Sequence, residues 1–153
     1  MLHLKTAQGE RLELPAHAII AVMRPSSGDN PSAIIFDMGM GPQIDQLGDQ
    51  YGFVKKLIAD SNAMVNPIEI RVVEPVPDGD GATAEGRMFF PRDRIAGRRE
   101  VKDDQRGVRS TLFVNLLGKP IVINAADTLD ELDGIGPEPK RPRRPSKSPT
   151  KGA

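Results

Sequence analysis

The chain has 153 residues, with 21 basic and 21 acidic side chains, two histidines, one tyrosine, and neither cysteine nor tryptophan. That length allows one compact domain or two very small ones, with an apolar core that needs no metal or staple. The missing thiols exclude a disulfide framework, a thiolate zinc site and a cysteine nucleophile.

The first segment, Leu2-His3-Leu4-Lys5, alternates apolar and polar residues, as does Leu12-Glu13-Leu14 beyond the turn at Ala7-Gln8-Gly9-Glu10. Period-two alternation on both sides of a glycine turn predicts a hairpin with one buried face. Ile19–Val22 and Ala33–Phe36 have the length and composition of strands. Pro25, Gly28 and Pro31 lie between them, and Gly39, Gly41 and Pro42 close the second. From Gln50 to Ser61 the spacing of Tyr51, Val54, Leu57 and Ile58 predicts an amphipathic helix. Ile68–Val72 predicts a further strand and Pro75–Gly81 a loop. The longest apolar runs, Ala18–Met23 among them, fall far short of the ~20 residues of a membrane helix. No basic region leads into an apolar stretch at the amino terminus. The expectation is a soluble protein without a membrane partner, cytoplasmic, or within a virion if phage-derived.

The order then recurs. Glu10–Arg24 superimposed without gaps on Gly86–Glu100 brings Arg11 onto Arg87, Pro15 onto Pro91 and Ile19 onto Ile95, with Leu12 over Met88 and Leu14 over Phe90. Downstream, Ser32–Asp37 resembles Ser110–Asn115. Each is followed by a glycine turn, a short strand and a helix, the second strand being Ile121–Ile123 after Gly118-Lys119-Pro120. The second helix opens at Thr128, with Glu131 completing a capping box. An internal duplication explains this, and so do two generic hairpin units that share alternation and glycine turns.

Leu2, Leu4, Gly9, Leu12, Leu14, Ile19 and Val22, continued by Ile34, Phe36, Val54 and Leu57, resemble the small FlbD-like proteins associated with bacterial flagellar gene clusters. The resemblance spans about the first sixty residues and rests on core and turn positions. It implies a small strand-rich unit without established catalytic residues, and by analogy a binding role.

Motifs that would carry chemistry are incomplete. Asp78-Gly79-Asp80-Gly81 with Glu85 opens like a calcium loop but lacks a third acidic ligand before its glycine. Gly39-Met40-Gly41 and Gly118-Lys119 lack phosphate-loop spacing. His3 and His17 have no second histidine at ligand spacing, and no GxSxG elbow surrounds Ser26, Ser27, Ser32, Ser61 or Ser110. No cofactor and no metal are expected, and the protein is read as a non-enzyme; a small hydrolase with an unrecognised site is the least favoured alternative.

Charge is distributed unevenly. Between Arg87 and Arg109 stand eight basic residues, Arg92, Arg94, Arg98, Arg99, Lys102 and Arg106 included, against four acids. They fall on one predicted hairpin. Such a stretch suits a phosphate or carboxylate partner, and equally a charge-guarded strand edge. Asp127–Glu138 holds five acids and no base. The end of the chain carries Lys140, Arg141, Arg143, Arg144, Lys147 and Lys151 without an acid, interrupted by Pro139, Pro142, Pro145 and Pro149. Proline excludes a continuous helix or a paired strand there, which predicts an extended or disordered basic arm.

The expected fold is α+β and strand-rich, two tandem hairpin, strand and helix units with a basic C-terminal arm. Residues 1–62 form the first unit, 63–85 a strand and linker, 86–136 the second unit and 137–153 the arm. The expected function is a non-enzymatic interaction or assembly module of bacterial or phage origin. It would bind a protein partner or a second copy through strand edges and the arm. The alternative is a nucleic-acid-associated protein making sequence-independent phosphate contacts through Arg87–Arg109 and the arm.

Overall fold

The computed structural model describes residues 1–77, 79 and 81–135. The expected arm, and Asp78 and Asp80 of the calcium-like loop, lie outside the described residues. The hairpin forms as predicted: β1 (Leu2–Lys5) pairs antiparallel with β2 (Arg11–Leu14), Leu2 opposite Leu14 and Leu4 opposite Leu12. Alternation buries Leu4 and Leu14 and leaves His3, Arg11 and Glu13 exposed. Pro15 ends β2 and enters a 3₁₀ turn, Ala16–Ala18. β3 (Ile19–Arg24), β4 (Ser32–Phe36), β5 (Gln43–Leu47) and α1 (Tyr51–Ser61) follow. Tyr51, Val54 and Ile58 are the buried stripe of α1, and Asn62 closes it in the left-handed conformation that asparagine tolerates.

The same order returns with β6 (Pro67–Pro75), β7 (Thr83–Pro91), a 3₁₀ turn at Arg92–Arg94 entered through Pro91, β8 (Ile95–Glu100), β9 (Ser110–Asn115), β10 (Pro120–Ala125) and α2 (Leu129–Leu132). The capping box read at Thr128 and Glu131 is present, both hydrogen bonds made. The second series begins earlier than residue 86. β6 pairs with β7 over nine residues, from Pro67 opposite Pro91 to Pro75 opposite Thr83. The two strands are therefore the arms of one hairpin, closed by Val76 N–H to the Ala82 carbonyl at 2.9 Å, where the sequence predicted a linker. Proline and glycine punctuate a hairpin loop and a linker alike, and only the pairing separates the two.

Equivalent positions repeat in detail. Ser32 Oγ donates to the Asp49 carbonyl at 2.7 Å, and Ser110 Oγ to the Asp127 carbonyl at 2.8 Å. The Asp49 carboxylate accepts from Lys5 N–H at 2.8 Å, and that of Asp127 from Arg71 N–H at 2.7 Å. Both third strands carry a bulge against their neighbour, between Ile19 and Ala21 and between Ile95 and Gly97.

Eight strands form one antiparallel sheet in the order β5-β4-β3-β7-β6-β10-β9-β8. The β1–β2 hairpin is attached at β5 by the Thr6–Leu47 bridge and by Ala7 N–H to the Gln46 carbonyl at 2.9 Å. β10 meets β6 in the corresponding way, Ala125 opposite Val72. Two apolar clusters result. One gathers Ile70, Phe90, Leu112 and Leu132, the other Leu4, Ile34, Tyr51, Val54 and Ile58. Phe89 of β7 belongs to the second, so the second series supplies a side chain to the core of the first. Among the described residues no helix is long and apolar enough to cross a membrane.

Candidate functional site

β7 joins the two series. It pairs with β3, Val22 opposite Phe89, Met23 opposite Met88 and Arg24 opposite Arg87. Gly86 allows this approach: a Cβ there would stand 2.6 Å from the Arg24 carbonyl oxygen and 3.1 Å from the Ser26 nitrogen. Across the joint, Glu69 of β6 accepts hydrogen bonds from Tyr51 Oη at 2.6 Å and Lys55 Nζ at 2.8 Å, both on α1. Arg87 adds a contact at 3.4 Å, and Lys55 also lies 5.4 Å above the Phe89 ring. Burial alone would raise the Glu69 carboxyl, but the hydrogen bonds from Lys55 and Tyr51 and the charges of Lys55 and Arg87 outweigh it and hold it below its usual range. Burial, then the bond to Glu69, drives the Tyr51 phenol far above its usual range.

The arginines read as one basic hairpin do not form one surface, although Arg92 and Arg98 line the same cleft. β7 and β8 are not partners: Pro91 and the 3₁₀ turn send β7 to the middle of the sheet and β8 to its far end. Arg87 is half-buried against Glu69. Arg92 donates to the Leu132 carbonyl at 2.7 Å and Arg94 to the Asn115 carbonyl at 3.3 Å. Arg98 makes a two-pronged pair with Asp133 at 2.6 and 3.2 Å, which lowers the Asp133 carboxyl and raises the guanidinium. Arg109 turns to the Val108 carbonyl at 3.3 Å. The side chain of Arg99, exposed on β8, makes no hydrogen bond or ion pair among the described residues, while its backbone pairs with Thr111. Most of these cations are therefore already held by acceptors of the fold. Lys140, Arg141, Arg143, Arg144, Lys147 and Lys151 lie outside the described residues.

His3 and His17 are exposed. Ser32 and Ser110 are spent on backbone carbonyls. Among the described residues no three His, Asp or Glu gather closely enough to hold a metal ion.

Among the described residues β2 and β8 are each hydrogen-bonded on one side only, while the outer side of β5 is met by the hairpin just at Gln46 and Leu47. β8 is the counterpart of β3, yet its last three residues are exposed where Val22 is buried. Beside it a cleft of about 470 Å³ runs between β8 and α2, lined by Arg92, Ile95, Gly97, Arg98, Leu129 and Asp133. The counterpart of that place, between β3 and α1, lies in the cluster that holds Phe89. Comparison with family models, with curated proteins and with solved structures finds no match. One signal in the sequence pointed to this region: the overlay of the two series sets Val22 on Arg98 and Glu13 on Phe89, apolar residues against charged ones.

Proposed function

We propose that the protein is a non-enzymatic assembly module whose working surface is the open strand edge at β8 and the cleft beside it. The β3–β7 joint carries this reading, because it is an example, within the chain, of one series accepting a strand of the other by edge pairing. Strand addition of this kind takes affinity from main-chain hydrogen bonds and selectivity from alternate side chains. The repeated serine, aspartate and bulge positions support descent of both series from one unit, and the FlbD-like resemblance of the first sixty residues fits the same reading by analogy. A photo-crosslinking residue at Arg99, introduced into the full chain and activated in cells of its source, tests it against one at Lys56 on the exposed side of α1. Adducts from position 99 and none from position 56 are expected; none from 99, or equal yields from both, refutes the reading.

A further inference from the structure

Resting on that reading, we infer that the partner at β8 is the β2 edge of a second copy of this chain, added head to tail in the register of the β3–β7 joint. The inner joint supplies the template. Its donor of edge is β3, counterpart of β8, and the strand laid on it is β7, counterpart of β2. Among the described residues the counterpart of β7 within the first series is unpaired on its outer side, as is the counterpart of β3 within the second. The two free ends of each chain are thus the two halves of a contact the chain already makes once inside itself.

The correspondence is exact enough to name residues. β3 and β8 keep the same bulge and the same partners along β4 and β9: Val22 is opposite Ile34 and Arg98 opposite Leu112. β2 and β7 keep the same partners along β1 and β6: Leu12 is opposite Leu4 and Met88 opposite Ile70. Val22–Phe89 therefore becomes Arg98 against Glu13 of the next copy, and Arg24–Arg87 becomes Glu100 against Arg11. Lys55 maps onto Asp133, and Glu69 onto His3. The inner Lys55–Glu69 contact becomes Asp133 against His3, a carboxylate acceptor facing an imidazole. The place of Phe89 in the inner joint is taken by the Glu13 carboxylate, which enters a cleft lined by Arg92 and Arg98 and there shares Arg98 with Asp133, its acceptor within the chain.

Charges on a sheet end also serve to keep edges apart, and the signs here do so selectively. Sliding the strands by two residues, which keeps the same faces, sets Arg98 opposite Arg11 in one direction and Glu100 opposite Glu13 in the other. Like charges directly opposite destabilise a strand pair, and opposite charges stabilise it. Only the register of the inner joint places both pairs in attraction, so the pattern both refuses casual pairing and specifies one contact. A head-to-tail contact of this kind closes into a ring or extends as a filament according to its rotation.

Sedimentation velocity and light scattering on the full chain test the inference. The wild-type chain is expected to associate beyond its 16.6 kDa monomer with rising concentration. Arg11→Glu and Glu100→Arg each weaken association at least tenfold, while the double variant and an equimolar mixture of the two single variants restore it. Both side chains are exposed, 80% and 62%, and unchanged circular dichroism establishes that the variants fold. A wild-type chain that stays monomeric, single variants that associate like wild type, or a double variant that fails to recover overturns the inference. Adducts from position 99 to some other protein, with a monomeric chain, would overturn the second copy as partner and leave the edge reading standing.

Discussion

Replacing Glu69 with alanine strikes the joint from beneath. The carboxylate receives Tyr51 Oη at 2.6 Å, Lys55 Nζ at 2.8 Å and Arg87 at 3.4 Å. Tyr51 is buried, so its hydroxyl loses an acceptor that water does not readily replace, and a hydrogen bond to a charged group is worth about 1.5–3 kcal/mol. Lys55 and Arg87 are about a third exposed, and solvent reduces each ion pair to about 0.2–1 kcal/mol. The sum for Glu69→Ala is about 2–5 kcal/mol, a fall in Tm of about 4–20 °C for a chain of this size. Glu69→Gln keeps an acceptor for Tyr51 and removes the charge, so it falls between. Because the folded carboxyl lies below its unfolded value, its ionic stabilisation is present above pH ~4.3 and is lost as pH falls through the folded value, and the gap between wild type and Gln narrows in acid. Urea and thermal unfolding followed by circular dichroism measure both effects. Lys56→Ala, which removes an exposed pair with Asp60, is the control and should unfold like the wild type. A Glu69→Ala variant within about 0.5 kcal/mol of wild type, the usual spread for exposed substitutions, would refute the account of the joint.

Tyr51 is the chain's single tyrosine, so ultraviolet absorbance reports it alone. The folded protein should show no tyrosinate at pH ~10, where a free phenol is half ionised, and stability should decline above that pH as the unfolded chain releases the proton first. Ionisation near 10 with the fold intact would contradict this. Gly86→Ala pushes backbone against backbone at the Arg24 carbonyl, and a loss of about 1–3 kcal/mol in urea unfolding is expected. Gly97→Ala on β8, whose Cβ would meet only the Phe113 ring at 3.4 Å, should lose less; equal losses would count against a tight joint. Ser32→Ala and Ser110→Ala each remove a fully buried donor to an aspartate carbonyl. They should destabilise by a similar amount, about 1–3 kcal/mol, in the same assay, and a large difference between them would argue against equivalent roles.

Local physics made much of the fold legible. Alternation placed Leu2, Leu4, Leu12 and Leu14 on one face of a hairpin before any partner was known, and the spacing of Tyr51, Val54 and Ile58 announced α1. Thr128 and Glu131 declared a helix start in four residues. Each of these signals lies within one element or one turn, where neighbours in sequence are neighbours in space. The loop at Pro75–Gly81 was legible as a break but ambiguous in kind, since the turn residues that end a hairpin arm also begin a linker.

Partnership between distant strands was decided only by the tertiary structure. Arg87 and Arg98 are eleven positions apart in one basic stretch, yet Arg87 is drawn into the joint by Glu69 and Arg98 is held at the far end by Asp133. Main-chain donors and acceptors are the same at every residue, so the backbone carries no mark of which edge will be covered; the side-chain mark, Arg98 and Glu13 where the other series has Val22 and Phe89, shows only when the two series are overlaid. The sequence by itself determined two similar series of strands ending in helices. It took the folded sheet to lay β7 on β3, because burying Phe89 in the first core satisfies that edge, and to leave β2 and β8, with charged residues at the matching places, facing outward.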